Sequence, residues 1–278
     1  MNKPTTVMND APLTGGRRLK VCSEESQSHK PVISIITVVK NRRDTFVNTV
    51  RSVLSQTYSN YEYIVIDGLS TDGTLDVIRD NDTNIDYWIS EKDEGIYDAM
   101  NKGLRVCRGE WMLMLNSDDT LSTNNILADV AEHLARSHAD VVHGDINVHY
   151  PSGRTRINIP LETKYLKKTM CLNHGGCFIN RSIHVRKFYD TSFRFAADYD
   201  LLLWAYLNGH KFEYINKTII EYSAGGVSGT PNYGNLEAYK IWKSYFGRPK
   251  ASFLYIKDQA PKIIKVPIKK TLIQLGLY

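Results

Sequence analysis

The chain has 278 residues, 42% hydrophobic and 23% charged, with 18 Gly and 9 Pro, a globular composition rather than a collagenous, coiled-coil or disordered one. Its net charge of +5 is local: from Tyr239 onward nine basic residues meet one acid, while the remainder carries 26 basic and 29 acidic side chains. An acidic body with a basic end argues against nucleic acid as a partner, and no apolar run approaches the roughly 20 residues of a membrane span.

Residues 1–30 are polar and aperiodic, and a flexible leader is expected there. They hold no apolar stretch of a secretory signal, and the four Cys (Cys22, Cys107, Cys171, Cys177) form no Cys-x-x-Cys pair. A cytoplasmic setting without a disulfide framework or structural zinc is therefore expected. Val32 to Val39 is a β-branched run, expected as a buried strand. Asp44 follows as an N-cap for a helix with Phe46, Val50, Val53 and Leu54 at helical spacing. Tyr61 to Ile66 is a second buried strand ending at Asp67-Gly68, and Ser70, Thr71 and Asp72 offer caps for a helix holding Leu75, Val77 and Ile78. Ile85 to Ser90 is a third strand, Gly95 to Val106 a helix, and Trp111 to Leu115 a fourth strand that exits into Asn116-Ser117-Asp118-Asp119. Ile126 to Ala135 is helical.

Beyond residue 135 the pattern changes. Asp140 to His149 and Arg154 to Ile159 suggest a hairpin around Pro151-Ser152-Gly153. Gly175 to Asn180 is a strand, and a loop leads to Phe195-Ala196-Ala197-Asp198-Tyr199-Asp200. Leu201 to Leu207 is a helix, Tyr214 to Tyr222 a strand, Ala224 to Asn232 a loop and Leu236 to Tyr245 a helix. In the tail, Ile264, Ile268, Leu272 and Leu275 share a helical face, with Lys262, Lys265, Lys269 and Lys270 off it. That is the pattern of a basic interfacial helix, or of a surface helix packing its stripe on the body.

Strands alternating with helices give an α/β fold with a mostly parallel sheet covered on both faces. Ligands bind such sheets at the C-terminal ends of strands, which singles out Asp67, Glu91 to Asp93, and Asp118-Asp119. No Gly-x-Gly-x-x-Gly follows the first strand and no Gly-x-x-x-x-Gly-Lys-Ser/Thr exists, which disfavours a dinucleotide oxidoreductase and excludes a P-loop NTPase. Carboxylates at strand ends repel phosphates unless a divalent cation intervenes, and hard oxygen ligands suit Mg²⁺ or Mn²⁺. Alternatively, Asp118 and Asp119 simply cap the next helix.

The arrangement has a further likeness. Ile33 to Val38 leads to Asn41-Arg42, and Gln56-Thr57-Tyr58 precedes Glu62 to Gly68 and Ser70-Thr71-Asp72-Gly73-Thr74. Then come Ile89-Ser90-Glu91 with Asp93, Gly95-Ile96-Tyr97-Asp98-Ala99-Met100-Asn101-Lys102-Gly103, and Leu115-Asn116-Ser117-Asp118-Asp119. Over residues 31–225 this resembles the family-two inverting glycosyltransferases of the GT-A fold that build bacterial exopolysaccharide, capsule or O-antigen of lipopolysaccharide. The resemblance implies a nucleotide-sugar-binding half (31–120) and an acceptor and catalytic-base half (121–248), with the basic tail (249–278) following them. It implies that Asp67 reads the base of a UDP-sugar, with Val38, Val39, Asn41, Asp93, Asn101 and Asp118 also toward the donor. Asp118 or Asp119 would hold the metal, although Asn116 stands where the family's first metal-motif Asp is usual. Asp198 would be the general base, with Asp200 as competitor or helix support, and His174 an acceptor contact or a core histidine. His143 and His149 are expected to be structural. The acceptor implied is a growing lipid-linked saccharide, and the tail would place the enzyme peripherally on the anionic inner face of the plasma membrane. A sugar nucleotidyltransferase, or a non-catalytic saccharide- or nucleotide-binding member of an assembly complex, are the alternatives.

Overall fold

The computed structural model describes residues 12–20, 32–225 and 233–274, with side chains of 233–235 and 259–274 outside the description. In chain order the elements are β1 (Leu13–Gly15), β2 (Ile33–Val39), α1 (Arg43–Leu54), β3 (Tyr61–Asp67), α2 (Thr74–Asp80), β4 (Tyr87–Ser90) and α3 (Ile96–Val106). They continue with β5 (Trp111–Met114), β6 (Thr120–Leu121), α4 (Ile126–Leu134), β7 (Val141–His149), β8 (Thr155–Asn158), β9 (Cys177–Asn180), α5 (Arg181–Arg186), α6 (Ala197–Leu207), β10 (Phe212–Ser223) and α7 (Tyr233–Gln274). Helix α7 is broken at Gly247, whose φ of 78° is not helical.

All ten strands join one mixed sheet in the order β1-β4-β3-β2-β5-β9-β7-β10-β6, with β8 paired to β7. The block β4-β3-β2-β5 is parallel, as the strand–helix rhythm requires. Strand β9 then runs antiparallel to both β5 and β7. Every residue of β2 is buried, because helices cover both faces. Its Ile33, Ile35 and Val39 pack with Phe46 and Val50 of α1 and Leu127 and Val130 of α4. Its Ile36 and Val38 pack with Met100 and Leu104 of α3, Leu202 of α6 and Trp242 of α7. Gly103 lets α3 approach the sheet closely: a Cβ there would lie 2.4 Å from Ile36 Cγ2.

Two expectations are corrected. Residues 12–20 are not a loose leader: β1 pairs antiparallel with β4, and Arg18 reaches the buried Glu62 carboxylate at 3.1 Å. Its guanidinium also donates to the Val106 carbonyl at 3.0 Å. The stretch after Asn180 is a short helix, α5, where a loop was expected; the Asn180 side chain accepts from the Ser182 N–H at 3.0 Å and so starts it. The start of the tail packs on the body. Ala251 is fully buried and Leu254 nearly so, within the same core as Trp242. The stripe at Ile264, Ile268, Leu272 and Leu275 lies outside the described side chains, as does Cys22; Cys107, Cys171 and Cys177 are free and buried. No helix among the described residues is long and apolar enough to cross a membrane.

Candidate functional site

Parallel register brings Val39 beside Asp67, and Asp67 beside Ser90, so three strand ends finish level. The turns beyond them lock together. The Asn41 side chain accepts from the Thr71 N–H at 2.8 Å, and the Asn41 N–H donates to Ser70 Oγ at 2.8 Å. Asn41 and Leu69 both take left-handed backbone angles, φ 52° and 57°, a conformation costing roughly 1–2 kcal/mol for a residue with a Cβ. Strain of this kind collects at binding sites.

These ends frame a cleft of about 400 Å³. The exit of β2 supplies Val38, Val39, Lys40 and Arg42; the approach to α3 supplies Asp93, Gly95, Ile96 and Ala99; the exit of β5 supplies Asn116, Ser117 and Asp118. Arg194 and Tyr222 close it from the second half of the chain. Three cations face two acids, so the wall suits a ligand carrying several negative charges. Gly68 makes room for Asp93, whose Oδ2 would lie 2.0 Å from a Cβ at that position.

The expected donor residues divide. Val38, Val39, Asp93 and Asp118 line the cleft. Asn41 acts on the turn, as above. Asn101 is buried and serves another purpose: its amide donates to the Tyr189 carbonyl at 2.8 Å and accepts from the Tyr189 N–H at 3.0 Å. Asp67 is fully buried. Its carboxylate accepts from the Ser70 N–H at 3.1 Å, the Ser70 hydroxyl, and the Ser90 hydroxyl at 2.6 Å. The expected base reader is thus turned inward to hold the 67–70 loop, and Asp93 is the acid left facing the cleft on that side.

Asp118 and Asp119 also part company. Asp119 is fully buried and accepts from the Asn116 amide and the Ser223 N–H, each at 3.1 Å. Burial, then the neighbouring Asp118 charge, push its carboxyl up to about 7. Burial also raises Asp118, which lines the cleft. Two desolvated acids in sequence, all hard oxygen, fit a divalent cation electrostatically. Among the described residues, however, no three His, Cys, Asp or Glu side chains converge as a metal site. Asp118 and Asp119 alone could supply only part of a coordination shell.

Asp198 stands at the start of α6, half-buried, with Oδ1 accepting from the Tyr97 hydroxyl at 3.0 Å and the Tyr199 N–H at 2.8 Å. His174, Cys177 and Tyr189 interact with it electrostatically. His174 Nε2 lies 2.8 Å from the Tyr189 hydroxyl, and burial lowers the imidazole's pKa, so it is a neutral partner in this cluster. Asp200, expected as a competitor for the base, a helix support or a weak acceptor contact, takes a supporting position. It is buried, paired to Lys187 at 2.7 Å and to the Tyr245 hydroxyl at 2.9 Å, and so ties α6 to α5 and α7. Sequence reading missed Tyr97, Arg194 and Tyr222. Tyr97 lay in a quoted motif, but nothing local pairs it with Asp198, 101 residues on.

Comparison with known proteins sets the cleft in context. The family described as "Glycosyl transferase family 2" matches residues 34–191. A Mycobacterium bovis protein named "PGL/p-HBAD biosynthesis glycosyltransferase" is 29% identical over 207 residues, which is 72% of this chain and 80% of that one. Among solved structures, S. aureus TarS residues 1–349 in complex with UDP-GlcNAc superposes with a TM-score of 0.63 at 16% identity, covering 81% of this chain and 70% of that one. The Pyrobaculum calidifontis mannosyltransferase PcManGT in complex with GDP-Man and Mn²⁺ gives 0.58 at 15% identity, covering 90% and 82%. At such identities the two structures establish a shared fold.

Proposed function

This chain belongs to glycosyl transferase family 2, and from that premise we propose that it moves one sugar from a UDP-sugar to a growing, lipid-linked saccharide of a bacterial surface polymer, with inversion. The observation that carries the reading is the cleft, where Lys40, Arg42 and Arg194 face Asp93 and Asp118 at the strand ends. A diphosphate suits the three cations. Asp93, held over Gly68, would accept hydrogen bonds from the base or ribose. A Mg²⁺ or Mn²⁺ ion held by Asp118 would neutralise charge on the departing diphosphate. Asp198 takes the proton of the acceptor hydroxyl as its oxygen bonds to the anomeric carbon and the bond to UDP breaks. Inversion follows from that single displacement. UDP is favoured because the TarS structure holds UDP-GlcNAc, and a biosynthetic role because the mycobacterial relative is named for PGL/p-HBAD biosynthesis.

Membrane contact is part of the proposal. On α7, Phe253 and Ile256 are 65% and 66% exposed, with Lys250 and Lys257 nearby in sequence, a pairing of apolar and basic side chains suited to an anionic bilayer. The test of function is a panel of nucleotide sugars with Mn²⁺, scored for UDP, GDP or dTDP release. Slow release from one UDP-sugar is expected. UDP binding without turnover of any donor would favour a non-catalytic member instead.

A further inference from the structure

Helix α3 touches both halves of the site. Gly95, Ile96 and Ala99 line the donor cleft. Tyr97 and Asn101, one turn apart on another face, reach into the second half: the Tyr97 hydroxyl to Asp198 Oδ1 at 3.0 Å, and the Asn101 amide to both peptide groups of Tyr189. The Tyr97 and Tyr189 rings stack at 5.6 Å, so the hydroxyl has little freedom to move. Burial drives the Tyr97 hydroxyl's pKa well up, so it remains a donor at any working pH.

We propose that Tyr97 is a positioning residue for Asp198, fixing its carboxylate from the donor side so that Oδ2 is presented to the acceptor hydroxyl. Both donors, the Tyr97 hydroxyl and the Tyr199 N–H, fall on Oδ1. Among the described residues none donates to Oδ2, the oxygen a base must keep free for the incoming proton. Without the Tyr97 bond, Oδ1 keeps a donor from its own neighbour but loses the one that crosses from the helix lining the donor cleft. The carboxylate could then rotate, and the geometry between donor and base would loosen; a misplacement of about 1 Å can cost about 10² in rate. The proposal rests on the reading of Asp198 as the base.

The groups around Asp198 are Tyr97 from α3, His174 and Cys177 around the start of β9, Tyr189 from the following loop and Tyr199 from α6 itself. Tyr97→Phe keeps the ring and its stacking and removes only the hydroxyl. The expected result is a fall in kcat of about 10- to 100-fold. Donor KM and UDP affinity should stay within about twofold, and the acid limb of the kcat–pH profile should move to higher pH, because a hydrogen bond to the charged form has been lost. In an Asp198→Asn background, Tyr97→Phe should add nothing further. An unchanged kcat and pH profile would overturn the proposal. So would a fall in kcat matched by falls in UDP affinity and Tm, which marks a packing role. If Asp198→Asn itself turns over normally, the base assignment is what has failed, and that single variant tells the two failures apart.

Discussion

At the residue scale, neighbouring acids that look alike in the sequence do different work. Asp118 faces the cleft, whereas Asp119 is buried against Asn116 and Ser223. Asp118→Asn should lower Mn²⁺-dependent turnover by about 10² or more, comparable to losing one electrostatic contact to developing charge, and Asp119→Asn by far less. Equal losses in a side-by-side kcat measurement would contradict that division. Chelation by EDTA should abolish turnover, and Mn²⁺ or Mg²⁺ restore it. His143 makes a separate point. On β7, with its ring 5.8 Å from that of Tyr214 and Nδ1 without a partner among the described residues, it is held neutral by burial, with its pKa lowered to about 4. The unfolded chain binds a proton there below about 6.5 and the folded chain does not. Its contribution to stability is therefore present above pH 6.5 and is lost as pH falls toward about 4, by about 3 kcal/mol in all. Denaturant melts of wild type and His143→Val compared from pH 7 to 4 should differ by that loss, because the buried Asp119 and His174 titrate alike in both.

At the element scale, the strands and helices of residues 32–135, the two-residue β6 apart, were legible because buried parallel strands are written as β-branched runs and their helices carry periodic apolar faces. The pieces that escaped are those whose reason for forming is distant. β1 has three residues and no apolar alternation; it exists because β4 offers an open edge and Glu62, buried on β3, needs a cation. Arg18→Ala should cost about 3 kcal/mol in a denaturant melt, the usual order for leaving a buried charge unpaired; a change under about 0.5 kcal/mol would show that the Ser34, Arg108 and Gly109 donors to Glu62 suffice without it. Residues 249–278 read as a basic amphipathic tail, yet Ala251 and Leu254 near its start are core. Removing everything past Pro249 would unpack Ala251 and Leu254, so the membrane contact is better probed by Phe253→Ser with Ile256→Ser. That pair should weaken sedimentation with anionic vesicles about tenfold or more, given ~1.5–3 kcal/mol for burying each apolar side chain, and high salt should weaken it further. Unchanged sedimentation would place the contact elsewhere.

At the scale of the whole molecule, the family and the α/β sheet were readable from the order of motifs, and the reversal at β9 was not, since strand direction depends on what lies between strands. That reversal brings the loop before β9 and the start of α6 around one carboxylate, and α3 joins them to the donor cleft. The inward turn of Asp67 and the pairing of Tyr97 with Asp198 were invisible for the same reason: both depend on partners that only the folded sheet assembles. What the assembled site commits to most firmly is Asp198 as the base. The decisive measurement is kcat of Asp198→Asn beside its UDP affinity. The account predicts turnover lower by about 10²–10⁴ with UDP affinity unchanged, since the donor cleft is built without Asp198. Wild-type turnover in Asp198→Asn would contradict it.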